Sequence, residues 1–169
     1  MIDQIKHLKS KYNSSNFVFL DSLINFKNSW LQEFCEKVLA SNLNIHWEAQ
    51  FRVKKSFSLE LAQLMKRSGC YNLFIGLESA SDNTLKAMNK GFTISEAKSC
   101  FETLANAGLH FETSFILGYP GETNRSFKET LDFVVKNKKI IPKIAQVNPF
   151  CDYLGEHNQS NEEKEAAKQ

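Results

Sequence analysis

No two of the four cysteines (Cys35, Cys70, Cys100 and Cys151) stand closer than thirty positions apart. That spacing excludes a local metal knuckle and a paired redox motif. Cys35 lies on an apolar helix face, Cys70 and Cys100 read as core thiols of a reducing compartment, and Cys151 falls near the tail. An excess of one charge is missing too: 21 Lys and Arg against 19 Asp and Glu leave a formal net charge of +2. With no basic stripe interleaved with aromatics, nothing here calls for a nucleic-acid partner. No apolar run approaches membrane length, and the opening "MIDQIKHLKSKYNSS" lacks the apolar core of a leader. The expectation is a cytoplasmic protein without a membrane partner. What is present is 169 residues, 42% of them hydrophobic and 14 of them Phe, enough for one domain with an extensive core.

Apolar strands alternate with amphipathic helices along the chain. "NFVFLD" (16–21) reads as a buried strand, and "SWLQEFCEKVLAS" as a helix with Ser29 and Gln32 in a capping box and Asn42 ending it. "NIHWEAQF" (44–51) alternates strictly and reads as a strand. The helix "SLELAQLMKRSG" follows, then the strand "YNLFIGLE" (71–78). Thr93 and Glu96 form a second capping box, opening a helix that stops at Gly108. The strand "LHFETSFILG" (109–118) comes next, then the helix "NRSFKETLDFVVKN" and a fifth strand within 139–150. A repeat of about thirty residues is the length of one parallel crossover unit. After Phe150 the sequence turns polar, so 151–169 reads as a tail, either frayed or carrying one short helix.

The strands do not suit a doubly wound sheet, whose central strands are apolar on both faces. Residues 44–52 set Ile45, Trp47, Ala49 and Phe51 against His46, Glu48, Gln50 and Arg52. Tyr71, Leu73, Ile75 and Leu77 oppose Asn72, Phe74, Gly76 and Glu78, and Leu109, Phe111, Phe115 and Leu117 oppose His110, Glu112 and Ser114. In the fifth strand Gln146 and Asn148 oppose Ala145 and Val147. Helices this few cover one face only, so the other is hydrophilic. The fold class expected is α/β, a partial parallel barrel with ligands at the C-terminal strand ends. Those ends carry Asp21, Arg52, Glu78, the Gly118–Glu122 corner and Asn148. Glu78, where a strand gives way to small hydroxylated residues, can accept from vicinal hydroxyls or hold an amine, but would repel a phosphate. Glu122 argues the same way, while Gly118 and Gly121 leave backbone bare for a flat ring or a ribose. A lone histidine per strand, His46 and His110, gives no metal set. Glu48, Glu78 and Glu112 also admit a weaker reading, as the acid and base of an unrelated barrel enzyme.

"GLESAS", "MNKG" and "GYPGET", in this order and spacing, closely resemble the radical S-adenosylmethionine superfamily, in particular the branch often carrying an upstream cobalamin-binding domain. The resemblance covers about residues 1–150. It implies a six-unit partial barrel in which S-adenosylmethionine chelates a four-iron–four-sulfur cluster, is cleaved to a 5′-deoxyadenosyl radical, and acts on a small-molecule substrate. It further implies that Glu78 contacts the ribose or amino-acid part. Ile116 and Gly118 belong to the adenine-side Gly-x-Ile-x-Gly run, with Ser114 at its first glycine. Asp21 stands where many members have Gly-Gly-Glu, and Arg52 partners the carboxylate. The family's Cys-x-x-x-Cys-x-x-Cys loop has no counterpart in the 169 residues, so the chain reads as strands two to six of the barrel, a fragment holding part of the S-adenosylmethionine site and no cluster ligands. Cobalamin, if used by the parent, would bind elsewhere. The alternative is a cluster-free nucleoside-binding or scaffold module. In either case strand 16–21 is left with an open edge, to be met by an N-terminal segment, another chain, dimerisation or the chain's own N-terminal helix.

Overall fold

The computed structural model describes residues 1–152 of the chain. The tail expected at 151–169 therefore lies, from residue 153 on, outside the described residues; Cys151 and Asp152 have no regular structure. Five strands, β1 (Asn16–Phe19), β2 (His46–Phe51), β3 (Cys70–Glu78), β4 (Phe111–Leu117) and β5 (Lys143–Pro149), form one sheet in the order β1-β2-β3-β4-β5. Every neighbouring pair is parallel. Sequential order and right-handed crossovers together send every connecting helix to the same side of the sheet. This is one face of a barrel wall, as expected, and not a doubly wound sheet.

The helices are α1 (Ile2–Tyr12), α2 (Asn28–Ala40), α3 (Leu59–Arg67), α4 (Asp82–Ala87), α5 (Ile94–Asn106) and α6 (Asn124–Lys136). Leu31, Phe34, Ala62, Met65, Ala97 and Phe101 from the helices join Trp47, Leu73, Ile75 and Phe111 from the strands in one buried cluster. The alternation read from the sequence holds in β2, whose Trp47, Ala49 and Phe51 are buried while His46 and Gln50 are exposed. Trp47 is sealed within rings of Phe19 and Phe34, and its indole N–H donates to Ser68. Burying that ring without the acceptor would strand a donor.

Helix ends follow the sequence closely, with one exception. Asn42, Gly69 and Gly108 take left-handed backbone after α2, α3 and α5, and the Thr93–Glu96 capping box is formed in full. The Ser29–Gln32 box is not. The helix starts two residues earlier, after Lys27, which puts Ser29 inside the first turn and leaves Gln32 to donate to Glu36. Tyr71 is a second correction: it is 41% exposed, because β2 and β3 slip register between Trp47 and Glu48 and Cys70 takes the packed position.

At the sheet's edge β1 ends at Phe19, two residues short of the expected strand. α1 precedes this edge strand in the chain. It packs through buried Ile5, and the Lys9 ammonium donates to the Leu43 and Asn44 carbonyls. Val18 and Leu20 remain 58% and 87% exposed, and β1 has no strand beyond it among the described residues.

Candidate functional site

Side chains pointing away from the helices assemble in rows set by register. Glu48 lies opposite Asn72, Gln50 opposite Phe74, Phe74 opposite Glu112, Gly76 opposite Ser114, and Ser114 opposite Gln146. Val18, Gln50, Phe74, Glu112 and Gln146, one from each strand, line a single cavity of about 420 Å³. Only a curved sheet brings five strands around one space. A second cavity of about 330 Å³ adjoins it at the C-terminal strand ends, sharing Gln50 and Phe74 and adding Arg52, Gly76, Glu78 and Lys90.

Glu78 is built into the upper cavity by several independent features. Its backbone is left-handed (φ 69°), a conformation that costs about 1–3 kcal/mol in a non-glycine residue and concentrates at functional sites. The β3–β4 register slips between Gly76 and Glu78, which turns the carboxylate back over the strand. Gly76 leaves it the space, since a β-carbon there would overlap Glu78 Oε1. The Ser114 hydroxyl donates to both carboxylate oxygens, at 3.3 and 3.1 Å, and the Lys90 ammonium lies 3.8 Å from Oε1. Burial raises the Glu78 carboxyl above its ordinary range, with Lys90 and Ser114 opposing. Burial lowers Lys90, against the pull of Glu78 and with the help of Arg52. Both groups are displaced toward their neutral forms, so desolvation outweighs an ion pair this loose.

Lys90 escaped the sequence reading although its motif did not. Asn89 and Gly91 on either side of it are both left-handed, and this double turn throws the lysine over the strand ends. The Arg52 guanidinium donates to the Lys90 carbonyl, so it fastens that turn at the cavity wall. Behind Glu78, the Ser79 hydroxyl and the Ala80 amide meet the Thr130 hydroxyl at 3.2 and 3.0 Å, and Ser81 donates to Glu129 at 2.6 Å, bolting the loop to α6. Ile116 and Gly118 follow at the end of β4, with Ile116 in register with Asn148.

The "GYPGET" corner is held by its own backbone and side-chain contacts. Gly118 (φ 75°) and Gly121 (φ 87°) are glycines for their backbone, with open space where a side chain would stand. The Glu122 carboxylate accepts the Gly118 N–H at 2.6 Å, closing the corner on itself. Tyr119 donates to the Ala87 carbonyl, tying the corner to α4. Asp21 is exposed in the loop after β1, and its neighbours Ser22 and Leu23 are the ones lining the upper cavity.

A family model described as the radical SAM superfamily matches residues 29–134. This chain belongs to the radical SAM superfamily. An uncharacterised methyltransferase of Pyrococcus horikoshii is 30% identical over 155 residues, covering 92% of this chain and 33% of that protein. The bacteriochlorophyllide d C-12(1)-methyltransferase of Chlorobaculum tepidum is 30% identical over 135 residues, covering 79% and 29%. The chain thus spans about a third or less of these radical SAM relatives. Among solved structures, the cobalamin-dependent S-adenosylmethionine radical enzyme OxsB, with aqua-cobalamin and S-adenosylmethionine bound, matches with a TM-score of 0.71 at 19% identity, over 79% of this chain and 21% of that one. TsrM from Kitasatospora setae, with cobalamin and a [4Fe-4S] cluster bound, matches with a TM-score of 0.68 at 17% identity, over 81% and 26%. Radical SAM proteins use S-adenosylmethionine with a four-iron–four-sulfur cluster.

The radical SAM cofactors fit this chain unequally. The upper cavity, with a carboxylate and an ammonium over a side-chain-free floor at Gly76, suits a zwitterion bearing hydroxyls. The cluster has no ligand set: among the described residues no three His, Cys, Asp or Glu side chains converge. Burial pushes the Cys35 and Cys100 thiols up to about 11 and Cys70 well above its ordinary range, the opposite of what an iron ligand needs. No helix among the described residues is long and apolar enough to cross a membrane.

Proposed function

We propose that residues 1–150 form the S-adenosylmethionine side of a radical SAM core, with residues 151–169 outside it, in a cytoplasmic enzyme acting on a small molecule. The observation carrying this is the Glu78–Lys90 pair held over Gly76 at the strand ends. Glu78, supported by Ser114, takes the hydroxyls or the ammonium of S-adenosylmethionine. Lys90 takes its carboxylate, with Arg52 bracing the turn and close enough to share that role. Ile116 and Gly118 offer the ring its seat, and Asp21 is assigned the outer rim by resemblance alone. When bound beside a reduced cluster, the cofactor supplies a carbon radical for hydrogen abstraction. No residue here takes part in making it, and we assign the cluster to a segment pairing with the open edge of β1, from this protein or another chain. Cobalamin use by the intact enzyme is supported by the kinds of relative found.

Calorimetric titration of the 169-residue chain with S-adenosylmethionine tests the reading. Glu78→Gln weakens binding about tenfold, equivalent to about 1.4 kcal/mol. The pH profile has a definite sign. Ligand donors favour the ionised carboxylate, so affinity rises as pH climbs from the ordinary glutamate range through the raised Glu78 value. It falls again as Lys90 loses its proton, below the ordinary lysine range. A merely structural ion pair would leave affinity unmoved by Glu78→Gln, and that result would end the proposal. Anaerobic reconstitution of the same chain should leave iron and sulfide far below one cluster per protein. A stoichiometric cluster would overturn the assignment of its ligands elsewhere.

A further inference from the structure

The lower cavity is left unused by this assignment, and its chemistry is specific. Glu48 of β2 and Asn72 of β3 line one end of it and belong to a hydrogen-bonded row that runs on to His110, just before β4. The Asn72 amide donates to Glu48 at 3.3 Å, and the Asn72 side chain meets His110 Nδ1 through its oxygen at 2.9 Å. Because the amide nitrogen is committed to Glu48, the oxygen must accept, and His110 carries its proton on Nδ1. The Glu48–Asn72 pair forms that end of the lining. Above it stands Phe74, between Gln50 on one side and Glu112 on the other by register, with Val18 and Leu20 supplying an apolar flank at the β1 edge. Charge is uneven. Glu112 is paired with Lys143 at 2.6 Å, whereas Glu48 accepts from the neutral Asn72 amide. Two carboxylates face one ammonium, and an aromatic ring lies between them.

We infer that this compartment is the substrate seat, and that it takes a small molecule with a flat apolar part and an ammonium or N–H donors, rejecting a carboxylate or phosphate. The inference rests on the upper cavity holding S-adenosylmethionine, which would put the substrate directly beneath it across the shared residues Gln50 and Phe74. The flat part lies on Phe74, where the ring face also attracts a cation. The donors point to Glu48 and Glu112, and an anion there would meet uncompensated negative charge. A volume of about 420 Å³ suits a compound of amino-acid or nucleobase size.

Phenethylamine and 3-phenylpropionate share a ring and a chain length and differ in charge, so they separate the ligand classes. Each is titrated into the isotope-labelled 169-residue chain, with and without S-adenosylmethionine, and followed through backbone amide shifts. Phenethylamine is expected to move the amides of Gln50, Phe74 and Glu112. Phe74→Ala should weaken it about tenfold, and Glu112→Gln about fivefold. Phe74 faces the cavity and not the core, so its variant keeps the wild-type circular dichroism. Equal binding of 3-phenylpropionate, shifts confined to other parts of the molecule, or no shifts at all overturn the inference. S-adenosylmethionine in the same sample should move Glu78, Lys90 and Gly118. Its failure beside a successful amine removes the cofactor reading and the word substrate but keeps the amine site, while the converse removes only the amine site.

Discussion

Gly69→Ala unfolds this protein more readily than any other single methyl addition at the glycines among the described residues, with an expected loss of more than about 3 kcal/mol. Gly69 ends α3 with φ 97°, and a β-carbon there would overlap the Ile45 carbonyl oxygen. That oxygen is backbone, so no side chain can swing aside to make room. The residue also links two elements: its N–H donates to Lys66, and its carbonyl accepts the Trp47 N–H at 2.9 Å. Moving Gly69 therefore shifts the start of the β2–β3 pairing beneath the largest buried ring. Urea denaturation measures it. Gly108→Ala is the control, with a similar left-handed backbone but open space around the missing side chain, and should cost only about 1 kcal/mol. Similar losses in the two variants would show that the backbone angle, and not the close approach to Ile45, decides the outcome.

Gly76→Ala has the reverse character: a small effect on folding and a large one on binding. Its backbone is not left-handed, and the atom its β-carbon would meet is the end of the Glu78 side chain. That carboxylate can move, and moving is the damage. It leaves the Ser114 hydroxyl and the Lys90 ammonium, and the floor of the upper cavity fills. Binding of S-adenosylmethionine should weaken at least as much as in Glu78→Gln, by about tenfold or more, while the urea midpoint changes little. Binding preserved in Gly76→Ala would mean that the carboxylate position does not matter, and the proposed role of Glu78 would fall with it.

The strand faces were legible because period-two alternation is a local property. Once Trp47, Ala49 and Phe51 face the helices, Glu48 and Gln50 must face away. Joining Glu78 to Ser114 was not legible, because Ser114 pairs with Gly76 and only the register slip after it turns the Glu78 carboxylate back to Ser114. Loop direction left no trace either. The turn aiming Lys90 depends on positive φ at Asn89 as well as Gly91. Glu122 could be seen to stand behind the corner, but the bond from its carboxylate back to Gly118 could not. The Tyr71 slip was hidden for a related reason, since one extra residue in a register breaks the very alternation used to read it. α4, only Asp82–Ala87, is too short to carry a periodic pattern of its own.

Because the helices connecting the strands gather on one side of the sheet, each strand divides its labour residue by residue. Odd positions of β2 hold the molecule together while even ones meet solvent and solute. Exchanging Gln50 or Phe74 for another side chain removes little from the interior, so selectivity can drift by single steps without passing through unfolded intermediates. A scaffold partitioned in this way lets new chemistry be tried at low thermodynamic risk.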